Sequence, residues 1–150
     1  MGNSGTTRAA TVTDTAWSYS LVAADITAMG QGADTISVAL PDAAGNVSPA
    51  ATRPITVDTA APVAPTINAI ATNDIIGSTE QGAVITGTNE AGATVALTIG
   101  GTTRAATVTG TTWSYTLVAA DITAMGQGAE TISVTQTDAA GNVSPAATRP

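Results

Sequence analysis

The chain has 150 residues, of which 43% are apolar and 10% charged, and a net charge of −7. It contains no Cys, His or Lys. Disulfides and the Ser–His and Cys–His nucleophile pairs are therefore excluded, as is the basic footprint that nucleic-acid binding needs. No apolar run approaches the length of a membrane span, so no membrane insertion is expected. Met1 to Ala10 carries no apolar leader core.

Threonine makes up about a fifth of the residues, and Thr and Val favour pleated, half-buried surfaces. The composition leans all-β. Only Trp17, Tyr19, Trp113 and Tyr115 are aromatic. A core built from Val, Ile and Leu with so few rings is thin, enough for one modest core.

In chain order, the first alternating stretch places Trp17, Tyr19 and Leu21 on one side. Ile36 and Val38 form a second inward set. Ala60-Ala61-Pro62-Val63-Ala64-Pro65 is a Pro/Ala linker, stiffened by prolines that favour extended backbone. Ala83 to Thr86 and Thr94 to Ile99 are short β runs bounded by Gly and Asn. In the latter, Val95, Leu97 and Ile99 alternate with Thr94, Ala96 and Thr98, which puts one face in and one out. Thr112 to Val118 directs Trp113, Tyr115 and Leu117 to one side. Val118 to Met125 reads as a short helical turn between strands. Thr131 to Gln136 turns Ile132 and Val134 inward. Thr88 to Gly92 and Asp138 to Asn142 are tight loops.

Residues 5–54 and 101–150 align without gaps at an offset of 96, and only seven of these 50 positions differ. The pairs are Asp14/Gly110, Ala16/Thr112, Ser20/Thr116, Asp34/Glu130, Ala39/Thr135, Leu40/Gln136 and Pro41/Thr137. A period near 100 residues matches one immunoglobulin-sized sandwich. The expected fold is thus all-β, an immunoglobulin-like antiparallel sandwich in tandem repeats of about 96 residues. Residues 1–57 are the rear half of one repeat and 58–65 the linker. Residues 66–150 are a near-complete second repeat whose last strand is expected to be missing.

The sequence resembles a known family at several ordered points. Val57-Asp58-Thr59-Ala60-Ala61-Pro62 resembles the junctions of bacterial immunoglobulin-like repeats. Thr86 to Val95, Trp113-Ser114-Tyr115 and Thr137 to Ser144 look like their later segments. The family is that of giant repetitive surface adhesins of biofilms, exported by type I secretion. The resemblance implies an extracellular, cell-surface extender that is not an enzyme. Its partners would be neighbouring repeats of the same protein. It also implies Ca²⁺ at junctions between repeats.

Calcium prefers hard oxygen ligands. With strands alternating up and down, Asp58, Glu90, Asp138 and Asn142 gather at the base of the second repeat. Asp74, with Asn73, lies in the opposite end loops as a weaker candidate. The alternative reading is that Asp58, Asp138 and Asn142 merely form turns. Asp42 and Asn46 are the equivalents in the first copy.

Trp17 and Trp113 are expected in the core rather than on a sugar-stacking surface. A second functional reading has the repeats bind a glycan, ice or a protein surface, with Thr94, Thr98, Thr107 and Thr109 facing outward. A third makes the chain an accessory module of a secreted hydrolase. The unpaired rear half leaves a sheet edge open and predicts a strand-swapped homo-oligomer.

Overall fold

The computed structural model describes residues 5–150. Residues 1–4, the start of the stretch read for a leader, lie outside the described residues. Contacts divide the chain between Thr59 and Ala60 into two units.

Unit 1 holds β1 (Thr11–Thr13), β2 (Ala16–Ser18), α1 (Ala23–Met29), β3 (Gly32–Val38) and β4 (Ala51–Val57). β1 pairs with β2 and β3 with β4, both antiparallel, giving two separate two-stranded sheets.

Unit 2 holds β5 (Val84–Thr88), β6 (Thr94–Ile99), β7 (Thr102–Ala105), β8 (Thr107–Thr109), β9 (Thr112–Thr116), α2 (Ala119–Met125), β10 (Ile132–Thr137) and β11 (Ala147–Arg149). One sheet runs β11-β10-β6-β7 and the other β5-β9-β8. Residues 66–68 extend the second sheet, because Thr66 and Asn68 donate backbone N–H groups to Thr88 and Thr86 at 3.0 and 2.9 Å. This is the strand order of an immunoglobulin-type sandwich, with one extra edge strand on the sheet that carries the last strand.

Alternation explains the core. Val95, Leu97 and Ile99 are buried while Thr94 and Thr98 are exposed. From the facing sheet come Ile85 and Trp113, and Ile70, Leu117, Ile132 and Val134 complete the cluster. Trp113 is the largest buried side chain. Its indole Nε1 donates to Thr66 O at 3.1 Å, so the ring's polar end is satisfied. Opposite it in register lies Gly87. A Cβ there would sit 1.9 Å from Thr66 O and 2.6 Å from Trp113 Nε1. Only glycine lets the first segment and the Trp meet at that point.

Two sequence readings need revision. Trp17, Tyr19 and Leu21 are not inward but 48%, 38% and 50% exposed, and Ile36 and Val38 are only half-buried. Their alternation is right, but unit 1 has, among its described residues, no strands corresponding to β5, β6 and β7, which complete the two sheets of unit 2. β7 and β8 were not anticipated, because their Thr-rich sequences carry almost no apolar alternation. Of the closing strand, three residues form β11, where its counterpart β4 runs Ala51–Val57.

Candidate functional site

The registers assign each loop of unit 2 to an end. Thr66 meets Thr88, Thr88 pairs with Thr112 and Thr94 with Thr137, and these mark the proximal end. Val84 pairs with Thr116, Ile99 with Thr102 and Ile132 with Arg149, and these mark the distal end. The chain therefore arrives at one end of the sandwich, through Thr66, and leaves at the other, through Arg149.

At the proximal end the incoming backbone is clamped. Val63 N–H donates to Glu90 Oε1 at 3.0 Å. The Gln136 amide is 1% exposed as a residue. Its Nε2 donates to Val63 O at 2.6 Å, and its Oε1 accepts from Glu90 N–H at 2.8 Å. The Gln136 backbone N–H is met by Ser144 Oγ at 3.0 Å. A buried amide needs all of these partners, so its apolar strand position is compensated. The first copy has Leu40 at the matching position.

Glu90, Asp138 and Asn142 thus share the proximal end, as the sequence implies. Asp138 and Asn142 form a self-satisfied turn there. Asp138 Oδ1 accepts from Ala140 and Asn142 N–H at 2.9 and 2.8 Å, and Oδ2 accepts from Asn142 Nδ2 at 2.9 Å. The Asn142 side-chain bond leads the contacts that hold the Asp138 carboxyl below its ordinary range. Asp42 and Asn46 repeat the geometry in unit 1, at 2.9, 2.8 and 2.9 Å.

Asp58 belongs to unit 1, just after β4. Its Oδ1 accepts from Gln31 Nε2 at 2.8 Å, while Gln31 Oε1 accepts from Thr59 N–H at 2.8 Å. Asp74 lies at the distal end of unit 2 in a two-point ion pair with Arg149, at 2.5 Å (Nε–Oδ1) and 2.6 Å (Nη2–Oδ2). Ile70 N–H also donates to it at 3.0 Å. The arginine leads the contacts that bring the Asp74 carboxyl to about 2. The ion pair accounts for this residue without a metal.

As a donor set for calcium, these residues have the right chemistry but are already engaged by N–H groups. Among the described residues, no three carboxylates gather as a metal-holding group. One observation favours a cation. Asn89 Oδ1, beside Glu90 at the proximal end, is a buried oxygen with no hydrogen-bond partner.

Sequence reasoning missed the most buried charge. Asp121, at the third position of α2, is 0% exposed. It accepts from Arg104 Nε at 2.8 Å, Tyr115 OH at 2.8 Å and Val118 N–H at 3.1 Å. Burial pushes its carboxyl up, but the bonds from Val118, Tyr115 and Arg104 outweigh it and hold the carboxyl below its ordinary value. Asp25 makes the same contacts in unit 1, with Arg8, Tyr19 and Val22 at 2.8, 2.7 and 3.1 Å. The signal was present: Arg, Tyr and Asp recur together at the 96-residue offset.

The outward threonines do not form one array. Thr94 and Thr98 lie on β6, and Thr107 and Thr109 on β8 of the other sheet. A different row crosses the four-stranded sheet in register: Thr148, Ser133, Thr98 and Thr103. The adjoining positions on that face are Ala105, Ala96 and Thr135, then Thr94 and Thr137. The face carries no charge.

No protein-family model matches this chain, and no curated protein is similar to it. Among solved structures, it is similar to one from work on host cell surface retention of a 1.5-MDa bacterial ice-binding adhesin. The identity is 26% and the TM-score 0.43, over 84% of this chain and 42% of that one. The chain thus spans less than half the length of that structure's chain. No helix among the described residues is long and apolar enough to cross a membrane.

Proposed function

We propose that the chain is part of a non-enzymatic extender, a stalk of immunoglobulin-like repeats in an extracellular bacterial adhesin that supports cell attachment or biofilm formation. The observation that carries this reading is the through-running path of unit 2. A module that takes in the chain at one end and releases it at the other adds length when joined in series. The 96-residue recurrence supplies the series. A six-residue strand spans roughly 20 Å, so each module adds a few tens of ångströms. Small-angle scattering on two, three and four tandem repeats is expected to show a maximum dimension rising in proportion to repeat number. A dimension that levels off would remove the reading.

Calcium is a separable part of the proposal. Asn89 Oδ1 supports it, with Glu90, Asp138, Asn142 and Asp58 as the nearby or preceding oxygen donors in sequence. Ca²⁺ bound only to the folded state raises stability by linkage. A thermal melt is therefore expected to shift upward with Ca²⁺ relative to chelator. Identical melts, with no heat on titration, would eliminate calcium and leave the extender standing.

The uncharged hydroxyl face favours a second reading, in which the repeats themselves bind a glycan, ice or a protein surface. Retention of isolated repeats on ice or on a glycan array would select it over the stalk.

A further inference from the structure

The two copies of the repeat differ mostly where the chain enters the sandwich. Of the seven differing positions, 110, 112, 135, 136 and 137 lie on the proximal side of unit 2, where Thr112 pairs with Thr88, Thr135 with Ala96 and Thr137 with Thr94. Only 116 and 130 belong to the distal side.

At the proximal entry, both backbone polar groups of Val63 are taken. Its N–H donates to Glu90 Oε1 at 3.0 Å and its O accepts from Gln136 Nε2 at 2.6 Å. Pro62 and Pro65, on either side of this stretch, are buried. Gln136 Oε1 accepts from Glu90 N–H at 2.8 Å. One side-chain amide thus ties the incoming chain to the loop that receives it.

The backbone around this position is the same in both copies. Ser144 Oγ accepts from Gln136 N–H at 3.0 Å, and Ser144 N–H donates to Gln136 O at 2.9 Å. Ser48 makes the same two bonds with Leu40, at 2.9 and 2.9 Å. Only the side chain changes, and leucine has no donor or acceptor with which to hold a passing backbone. Pro41 follows it, without an N–H, where unit 2 has Thr137.

We propose that the residue at position 136 of the repeat sets how firmly a module grips the chain that enters it. Gln136 is a positioning residue that locks Val63 onto the sandwich. A buried amide is stable only with both its ends paired, so it opposes any excursion of Val63. Leucine is indifferent to such an excursion, and the Leu-Pro pair of the first copy marks a loose grip. The flexibility of a linker is then written at one position, in modules that are otherwise nearly identical. That use of the clamp rests on the extender reading; the clamp itself does not.

Amide hydrogen exchange on the full chain, followed by NMR with chelator present throughout, tests this. Gln136→Leu leaves the Glu90 acceptor of Val63 N–H untouched, so a change at Val63 reports release of the segment. Its exchange is expected to quicken about tenfold, the worth of the hydrogen bond from Gln136 Nε2. Thr66 and Asn68, bonded to β5, should keep their protection. A nitroxide attached through Ala64→Cys, in a chain without other cysteines, should gain mobility in the same variant. Glu130→Asp, one of the two distal differences, should change neither readout. If Gln136→Leu unfolds unit 2, Glu90→Ala, at an exposed position, releases Val63 N–H without touching the core and should mobilise the nitroxide. Equal Val63 exchange in both chains would overturn the inference. So would Thr66 and Asn68 quickening as much as Val63, or a nitroxide that no variant mobilises. The scattering series reads length and not grip, so either experiment can fail without the other.

Discussion

Trp113→Ala is expected to destabilise unit 2 by about 3–5 kcal/mol, the usual cost of emptying a large buried aromatic site. The thin core raises the stake. Trp113 is 1% exposed and meets residues from both sheets, with no Phe anywhere to share the load. The loss also strands Thr66 O, which then lacks the indole donor. Trp17→Ala removes the same side chain from the same local sequence, yet Trp17 is 48% exposed. Its cost should stay below about 1 kcal/mol, since surface substitutions seldom exceed that. Urea unfolding followed by circular dichroism compares the two variants directly. Equal midpoints would show that the facing segment does not bury Trp113 in solution.

Asp121→Ala comes second, at about 3 kcal/mol, because removing one partner of a buried pair leaves the rest unsatisfied. Val118 N–H and Tyr115 OH lose their acceptor, and α2 loses the bond that closes its first turn. Seven-residue helices have little stability of their own. The same change at Asp25 should cost less, because Asp25 is 8% exposed against 0% for Asp121 and its partner Arg8 is 42% exposed against 31% for Arg104.

Acid has a related effect. The Asp25 and Asp74 carboxyls lie at about 2 against an ordinary 3.8, and Asp121 is also lowered. A depressed folded value means that the unfolded chain binds protons more readily. The stability these groups contribute is present above about pH 4 and is lost as pH falls through 2. Asp121→Asn should flatten part of that acid limb in a pH series of melts.

Much of unit 2 was legible in the sequence. Strict alternation in Thr94–Ile99 and around Trp113 gave both strand type and inward face, because burial on one side of a pleat imposes a period of two. The short helix was readable from Asp121 and the Gly126 that ends it. The same alternation misled around Trp17. Periodicity reports which side chains share a face, not whether anything covers that face. Gln136 was invisible for a related reason. It occupies an inward strand position as a polar residue, and only the distant Val63 and Glu90 backbone groups make it comfortable there. The Arg104–Asp121 pair was hidden by its separation along the chain, although its recurrence at the repeat offset could have exposed it. At the proximal end, topology was enough to bring Glu90 and Asp138 together. It could not tell that the Asp138 oxygens would be taken by their own turn.

The path of the chain through unit 2 also sets how the module bears tension. A pull on its two termini draws residues 66–68 along β5 at one end and β11 along β10 at the other. Interstrand hydrogen bonds in antiparallel ladders stand perpendicular to the strands. Such a pull loads each ladder in shear, with its bonds strained together, and does not peel them open one after another. Each terminal strand would have to slide as a block before the sandwich could lengthen.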